Sequence, residues 1–510
     1  MSLIRRLRLQ QGFTTVTVMG VMALGGMLVA GGFAAVDPDI GLSRDDQDYK
    51  QAYGAAEAGV QWYLSSLARD NGYYTQCTNV VNPSPTEDAP VNNRWSGSGN
   101  DPRVWRQLTN TPDAEYTVEL LPAPGYSACV VGDQYSMVDP TGNMRLRISG
   151  RSRDETRSII VTLRRRNFID FIYFTHFETL DPLAYSTSSM RSWAQTNCAK
   201  FRAQRGSSCT EIQFATDDFI RGPLHTNDSI LVCGSPTFGR FGKDAIEING
   251  TSPGYDNADG CSLNPEFLGT VIYPAGQMEL PPSNLALQGL AQSGYLFQGK
   301  TQIVIDDNSM QVKVKNGSWQ TKALPANGVI YVKNESGCSV GYSRNQTYNN
   351  PSACGDAWVQ GDYSSNLTIA ADNDVIVNGN VTRNSDSLLL GLIANNFVRL
   401  YHPVSYDEDD DCHNASGSLS DPRIDAAILA LNHSFIVDNW YCGNDLGDLE
   451  VNGAIAQRFR GPVGTSGGTG YIKDYNYNDR LRFREPPFFL DPVQSAWRVA
   501  RQNEQVPATQ

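Results

Sequence analysis

One stretch of the sequence is dense in side chains that bind hard cations. Five consecutive acidic residues, Asp407 to Asp411, are soon followed by His413 and Asn414. Calcium prefers such oxygen ligands, and Asp407, Asp409 and Asp411 would supply them, although the glycine-punctuated EF-hand spacing is missing. A solvated acidic loop explains the same run, so both interpretations stay open. Calcium is the only cofactor that the sequence suggests.

Residue types that would carry enzymatic chemistry lack the required spacing. The five histidines are scattered, with no HExxH motif and no pair at metal-ligand spacing. No GxSxG elbow, Walker A loop or Rossmann glycine pattern occurs. The sequence therefore predicts no enzyme and no catalytic residue. A carbohydrate-active enzyme on a β-helix is the alternative, because such scaffolds carry catalytic carboxylates, although no pair stands out.

All ten cysteines follow the single apolar segment, and none forms a CxxC pair. This usage predicts structural disulfides in an oxidising compartment. Pairing of sequence neighbours is the simplest arrangement, although sequence alone does not fix the connectivity. The pairs would be Cys77–Cys129, Cys198–Cys209, Cys233–Cys261, Cys338–Cys354 and Cys412–Cys442.

Composition excludes some classes of partner. The chain has 510 residues, 40% of them hydrophobic and 19% charged, which is enough for two or three globular domains. Its net charge of -13 is spread without a basic stripe. Nucleic-acid binders neutralise phosphates with clustered cations, so no nucleic acid is expected as a partner.

The N-terminal segment combines a basic leader with a long apolar run. Residues 1–12 carry three arginines and no acidic residue, and no charge occurs from Phe13 to Val36. Such a run matches the ~20 residues that a membrane span requires, with the arginines on the cytoplasmic side. The remainder would then be exported. A secretory signal cleaved near Ala35 is the alternative.

The order of these features resembles the prepilin peptidase site of type IV pilins. A basic leader is followed by Gly12, and Phe13 opens the apolar run. The resemblance implies cleavage after Gly12, methylation of Phe13, and prepilin peptidase and other pilin subunits as partners. The fifth mature position, usually glutamate in the family, is Thr17 here. Some tip subunits share this departure, which points to a tip or priming role.

A second helical pattern follows the apolar run. Small or apolar residues recur at alternating steps of four and three, which predicts an amphipathic helix over Asp45 to Asp70. They are Tyr49, Tyr53, Ala56, Val60, Tyr63 and Leu67. The stretch from Tyr53 to Val60 resembles the corresponding helix of large minor pilins. Proline at Pro38 is expected to break or kink the helix between the two halves.

Two kinds of strand pattern follow. Alternation with period two predicts strands around Val118, Ile148 and Val161, as in a pilin head. Further on, short apolar runs end at asparagines, notably Asn373 and Asn395. Repeated strand and turn units of this kind are typical of a parallel β-helix, in which each coil buries its inner face on its neighbours. A β-sandwich stays open.

The sequence thus predicts an α+β protein with a long N-terminal transmembrane and amphipathic helix, pilin-like antiparallel strands and a large mainly-β domain of β-helix type. The expected segments are a leader at 1–12, the helix at 13–70, a pilin-like head at 71–180, the β-rich exported domain at 181–490 and a tail at 491–510.

The expected function is that of a minor pilin-like subunit of a type IV pilus or related filament, with a large exposed domain for tip, adhesion or assembly roles. The expected location is a single-pass membrane protein with its bulk outside the cytoplasm, at the cell surface or in the pilus. Its partners would include the membrane and a surface or carbohydrate ligand. A simple membrane-anchored binding protein is the remaining alternative.

Overall fold

The computed structural model describes residues 13–77, 105–109, 111–250, 252–257, 260–339, 342–348, 352–465, 467–493 and 496–505, and their side chains except at 13–16, 29–43 and 112. Its α-helices are α1 (Phe13–Arg69), α2 (Ser188–Asn197) and α3 (Leu285–Gln288). Short 3₁₀ helices lie at Tyr73–Gln76, Gln134–Ser136, Phe168–Asp170, Pro182–Ala184, Arg202–Gln204 and Asp479–Arg482.

The strands dominate the described chain. In the first third they are β1 (Arg106–Leu108), β2 (Thr111–Leu121), β3 (Asn143–Ser152), β4 (Glu155–Arg165) and β5 (Tyr173–Leu180). They continue as β6 (Gln213–Ala215), β7 (Phe219–Arg221), β8 (Leu224–Thr226), β9 (Ile230–Cys233), β10 (Thr237–Phe238), β11 (Ala245–Ile248), β12 (Tyr255–Asn257), β13 (Glu266–Phe267), β14 (Thr270–Ile272), β15 (Leu296–Gln298), β16 (Thr301–Asp307), β17 (Ser309–Val314), β18 (Gln320–Ala323) and β19 (Val329–Lys333). The rest are β20 (Ala357–Tyr363), β21 (Leu367–Ala371), β22 (Val375–Arg383), β23 (Leu390–Ala394), β24 (Val398–Leu400), β25 (Val404–Tyr406), β26 (Cys412–Asn414), β27 (Arg423–Ile424), β28 (Ala427–Ala430), β29 (Phe435–Val437), β30 (Asp445–Arg460), β31 (Gly464–Thr465), β32 (Thr469–Tyr477) and β33 (Trp497–Gln505).

The chain divides into two compact units. The first comprises Met1–Met137, Arg145–Thr162 and Arg501–Gln510, and the second comprises Val138–Met144 and Leu163–Ala500. The second unit is thus, for most of its length, inserted in sequence between β4 and β33.

The first unit packs the C-terminal half of α1 on an antiparallel sheet of order β1-β2-β3-β4-β33. Along α1, Ala56, Val60, Tyr63 and Leu67 are buried at the spacing of one helical face, as expected from the sequence. The predicted strands around Val118, Ile148 and Val161 are confirmed as β2, β3 and β4. Their apolar residues alternate toward the helix and form one core.

Helix α1 approaches the sheet closely at Gly150 on β3. A Cβ atom at this position would overlap the carbonyl oxygen of Ala52 and the amide nitrogen of Ala56. At Gly59 on the helix, a Cβ atom would overlap side-chain atoms of Ile148 and Tyr116. The absence of side chains at these two positions therefore sets the distance between the helix and the sheet.

The substitution Gly150→Ala tests this packing. Because the backbone of α1 must move to accept the methyl group, we expect the first unit to lose about 1–3 kcal/mol of stability, the usual cost of overpacking. Gly54→Ala is the matched control, since nothing lies within 4 Å of its Cβ position. It should gain up to about 1 kcal/mol from helix propensity. Urea unfolding of both variants distinguishes them, and equal stability would contradict the packing.

The second unit is a parallel β-solenoid. One wall contains, in spatial order, β15, β19, β21, β23, β28, β30, β5, β8, β11 and β14, all paired in parallel. A second wall runs from β16 through β20, β22, β27, β30, β32, β7 and β10 to β13, and β24 and β29 extend it beside β22. A short third group contains β6, β9 and β12. The β-helix expected from the asparagine-punctuated runs is therefore confirmed.

Apolar residues stack in register along the first wall. A single ladder runs through Ile330, Ile369, Leu392, Ile428, Ile455, Tyr173, Leu224 and Ile246. All of these residues are buried. Each coil thereby buries its inner face on the coils above and below it, which is how a solenoid obtains a continuous core.

The asparagines form two ladders instead of one. Asn396 donates to Asn373 Oδ1 at 2.7 Å, and Asn373 donates to Asp356 Oδ1 at 2.6 Å. Separately, Asn432 donates to the carbonyl oxygen of Asn395 at 2.7 Å. Two adjacent turn positions therefore each stack on their equivalents in neighbouring coils.

The order of the coils is permuted relative to the sequence. The chain enters in the middle at β5 and builds outward to β14. It then resumes at the other end with β15 and builds back until β30 pairs with β5 and β32 pairs with β7. We call these two pairings the seam. The apolar ladder passes through the seam without a break, so the solenoid is continuous although its halves meet far apart in sequence.

The segment that connects β14 to β15 is hydrogen-bonded to the coils that it passes. Asn227 donates to the carbonyl oxygen of Met278 at 2.7 Å. Further on, Asn284 donates to the carbonyl oxygen of Ala371 at 2.8 Å, and its backbone N–H donates to Asn395 Oδ1 at 2.8 Å. These contacts place the connection beside successive coils of both halves.

The expected α+β class is wrong. Strands of the solenoid and of the sheet occupy far more of the described chain than helices do, and α1 is the only α-helix longer than ten residues among the residues described. The repeated coils explain the difference, because each adds strands and no helix. Helix α1 also runs without a break past Pro38, since the other backbone hydrogen bonds of a long helix can outweigh one missing donor.

The expected transmembrane helix is also wrong. Within the residues whose side chains are described, no helix is long and apolar enough to cross a membrane.

Candidate binding site

Ion pairs cross the seam at three buried positions. Arg460 on β30 contacts Glu178 on β5, with 3.3 Å between Nη1 and Oε2. Lys473 on β32 contacts Asp218, just before β7, at 2.7 Å. His433 contacts Asp181 at 3.0 Å. In all three pairs the carboxylate belongs to the half that begins at β5, and the cation or imidazole belongs to the half that ends at β32.

Arg460 is the most extensively bonded of these groups. Its guanidinium donates to the carbonyl oxygens of Ile212 and Gln213 at 2.8 and 3.0 Å, and its centre lies 3.5 Å from the ring centroid of Phe214. The side chains of Arg460 and Glu178 are 2% and 0% exposed. Burial raises the pKa of Glu178, and the nearby guanidinium opposes that rise. Arg460 thus joins β30 to two segments of the other half, β5 and the chain around β6.

Lys473 and Asp218 lie beside a cavity. The ammonium group donates to both carboxylate oxygens of Asp218, at 2.9 and 2.7 Å. Burial lowers the pKa of Lys473, and the Asp218 carboxylate acts in the opposite direction. Asp218 also accepts from the backbone N–H of Ala215 at 2.8 Å, which fixes its orientation.

The third pair contains a titratable imidazole. Burial disfavours the imidazolium of His433, but the Asp181 carboxylate outweighs this and raises the pKa of His433. The ring stacks on Phe397, with centroids 4.4 Å apart. Asp181 also accepts from Ser434 Oγ at 3.1 Å.

The substitution His433→Gln should destabilise the solenoid in a pH-dependent way. Because the pKa is raised in the folded state, the charge contributes fully below the unfolded pKa of about 6.5 and is lost as pH rises through the folded value. Glutamine can still donate to Asp181 but carries no charge. We expect a loss of about 1.5–3 kcal/mol at pH 5, as for a hydrogen bond between charged groups, and a smaller loss at pH 9. Chemical unfolding at both pH values measures it, and an equal loss at both would contradict the ion pair.

The cavity at the seam has a volume of about 420 Å³. One half of the solenoid contributes Ile212, Gln213 and Asp218 to its lining, and the other half contributes Trp440 and Lys473. The hairpin of β31 and β32 forms a further wall. Small-molecule sites in proteins occupy about 300–1,000 Å³, so the cavity is large enough for such a ligand.

The acidic side chains that line the cavity already have ion-pair or hydrogen-bonding partners within the protein. Glu211 contacts Arg202 at 3.1 Å and Arg205 at 2.8 Å, and Asp218 contacts Lys473. Asp445 is exposed at the rim and accepts from the backbone N–H of Gly447 at 2.9 Å. Two of the three carboxylates that line the cavity are therefore held in ion pairs.

The cysteines form the disulfides that neighbour pairing suggests. The structure joins Cys77–Cys129, Cys198–Cys209, Cys233–Cys261, Cys338–Cys354 and Cys412–Cys442. The first lies in the first unit and the others lie in the solenoid unit. Each closes a loop within its own unit.

The candidate calcium ligands are held by their own loop. Between β25 and β26, Asp407 Oδ1 accepts from the backbone N–H groups of Asp409 and Asp411 at 3.0 and 2.9 Å. Its other oxygen lies 2.9 Å from His413 Nε2. Within the described part of the chain, no group of three or more His, Cys, Asp or Glu side chains is arranged to hold a metal ion. Calcium binding stays a prediction that this geometry does not favour.

The processing residues lie at the start of the described chain. Gly12 falls outside the described residues, Phe13 is the first residue of α1, and Thr17 is exposed on that helix. None of them is near the seam in sequence. Sequence patterns do not reveal the seam residues, because no motif links positions as distant as Glu178 and Arg460.

The chain has a distant structural likeness to a solved pilin. No known protein family matches the sequence, and no curated protein has a significant match. Among solved structures, the chain is similar to the competence-associated pilin ComZ from Thermus thermophilus, at 12% identity and a TM-score of 0.28. The alignment covers 90% of this chain and 97% of that one. A likeness this weak carries no argument about fold or function.

Proposed function

We propose that this protein is an exported, pilin-like subunit of a type IV pilus or related filament, and that its β-solenoid is a binding head. The observation that carries the proposal is the packing of α1 on the sheet of the first unit. A long N-terminal helix packs its apolar face on an antiparallel sheet, and the sequence places the prepilin-like leader directly before this helix. Prepilin peptidase and other pilin subunits are the proposed partners.

The disulfides support export. All ten cysteines are paired in the structure, and such pairs persist in oxidising compartments outside the cytoplasm. The net charge of -13 suits an exposed surface that does not attract nucleic acid. These features support a location at the cell surface or in a filament.

The solenoid supports binding as its role. Its cavity combines apolar and hydrogen-bonding groups, and two of its three carboxylates, Glu211 and Asp218, are held by cations of the protein itself. Enclosed pockets with a few convergent polar groups are typical of binding sites. A surface-exposed ligand is therefore the proposed partner of this unit, and the proposed subunit is not an enzyme.

Substitution of Gly12 tests the filament role. In a host with the cognate peptidase, Gly12→Val should block leader removal, because the residue at the cleavage site must fit the peptidase. The unprocessed chain should accumulate and be missing from sheared surface filaments. Gly20→Val is the matched control, since nothing lies within 4 Å of its Cβ position. If both variants keep the same size and distribution as the unmodified chain, the proposal fails.

A further inference from the structure

We infer that the cavity at the seam binds an uncharged saccharide of about one or two rings. The inference rests on the proposed binding role of the solenoid and names the chemical class of its ligand. It is argued from the charges, the hydrogen-bonding groups and the apolar surface of the cavity, and from the position of the cavity at the junction of the two halves.

The charges of the cavity favour a neutral ligand. Of the three carboxylates that line the cavity, Asp218 pairs with Lys473 and Glu211 pairs with Arg202 and Arg205, while Asp445 is exposed to solvent at the rim. An anion would be repelled by Asp445 and would compete with Asp218 for Lys473, and a cation would compete with Lys473 for Asp218. Either ion would have to break a largely buried pair, which leaves a charge without compensation.

The polar groups suit hydroxyl oxygens. An ammonium group has three donors, and Lys473 uses contacts to two oxygens of Asp218, which leaves a donor for a neutral acceptor. On the hairpin wall, Thr469 donates to the carbonyl oxygen of Trp440 at 2.9 Å and lies 2.7 Å from the hydroxyl of Thr465, so these two hydroxyls offer acceptor lone pairs to a ligand. The amide of Gln213 adds a further donor and acceptor on the opposite side.

The apolar groups suit the carbon face of a sugar ring. Ile212 and Ile472 line the cavity, and the side chain of Ile472 is 40% exposed. Trp440 borders the same space. A purely aliphatic ligand would desolvate the remaining donor of Lys473 and the acceptor lone pairs of the two threonines without offering them a hydrogen bond, which costs free energy. A molecule with hydroxyl edges and C–H faces matches both kinds of surface.

Titration of the full-length chain with neutral disaccharides tests the inference. The probes are maltose, cellobiose, lactose and N,N′-diacetylchitobiose, with glucuronic acid and glucosamine as charged comparators, followed by calorimetry and saturation-transfer NMR. We expect at least one neutral disaccharide to bind with a Kd in the millimolar range or tighter, and the charged sugars to bind at least about tenfold more weakly.

Two tryptophan substitutions localise the binding. Ile472→Trp should fill the cavity and weaken binding by about tenfold or more. Val271→Trp is the matched control, because Val271 is also a β-branched strand residue, is 38% exposed and lies on β14 outside the cavity lining. It should bind like the unmodified chain. Circular dichroism should show both variants folded.

The inference is overturned if no neutral disaccharide binds at millimolar concentration, if the charged sugars bind as tightly, or if Ile472→Trp and Val271→Trp bind alike. Each of these results is independent of leader processing. A chain that is processed after Gly12 but binds no sugar would keep the filament role and remove the ligand class. A chain that binds sugar but is not processed after Gly12 would keep the ligand class and remove the filament role.

Discussion

Replacing Arg460 by methionine is expected to cost the solenoid about 3–5 kcal/mol, because it leaves Glu178 as an uncompensated buried carboxylate. It also removes the donors to the carbonyl oxygens of Ile212 and Gln213. The two halves of the solenoid meet at this point, so the loss falls on the contact that closes the fold. Denaturant unfolding, followed by circular dichroism with the disulfides intact, measures the loss.

Two further variants separate the ion pair from the loss of side-chain packing. Arg458→Met on the same strand removes a guanidinium that donates to the carbonyl oxygen of Leu431 at 2.9 Å, and it should cost only about 0.5–1.5 kcal/mol. The double variant Arg460→Met/Glu178→Leu should recover much of the stability, since no charge is then left buried. An Arg460→Met chain as stable as the unmodified one would refute the role assigned to the pair.

Replacing Arg399 by methionine should have a similarly large effect inside one half of the solenoid. Its guanidinium donates to both oxygens of Asp438 and to Asp374, all at 2.9 Å and all buried. Burial raises the pKa of Asp374 to about 6 and raises the pKa of Asp438, with Arg399 opposing both. Without the guanidinium, two buried carboxylates lose their cation, and we expect a loss of about 3–5 kcal/mol at pH 8.

The sign of the pH dependence follows from these pKa values. Carboxyl groups with raised pKa values bind protons in the folded state that the unfolded chain releases, so stability falls as pH rises through the interval between the two pKa values. Arg399→Met raises the folded pKa values further. Its cost should therefore be larger at pH 8 than at pH 5. The stability of Arg399→Lys should fall between that of the unmodified chain and that of Arg399→Met, because lysine keeps the positive charge but lacks the bidentate guanidinium group. A cost that is independent of pH would contradict the assignment.

Local patterns predicted much of this fold. The alternation around Val118 and Ile148 specifies half-buried strands, and the apolar runs ending at Asn373 and Asn395 specify coils, because each signal lies within a few residues. The disulfides follow the same logic, since each joins cysteines that are neighbours in sequence. In these places the residues that interact are also close along the chain.

The seam and its cavity could not be predicted for the same reason. Glu178 and Arg460 are 282 positions apart, and no spacing rule relates them. The apolar ladder that joins Ile455 to Tyr173 resembles every other step of the first wall, so the sequence does not mark where the halves meet. The expected α+β class gave the one N-terminal helix the same weight as the many short coils of the solenoid. Those coils together make up most of the protein, so the class was wrong.

The mature N-terminus of the protein, determined by mass spectrometry on sheared surface filaments from the native host, tests the central claim most directly. The account predicts a chain that begins at Phe13, with or without a methyl group, in the filament fraction. A chain that keeps its leader, or that begins near Ala35, would contradict the assignment to a pilin-like filament.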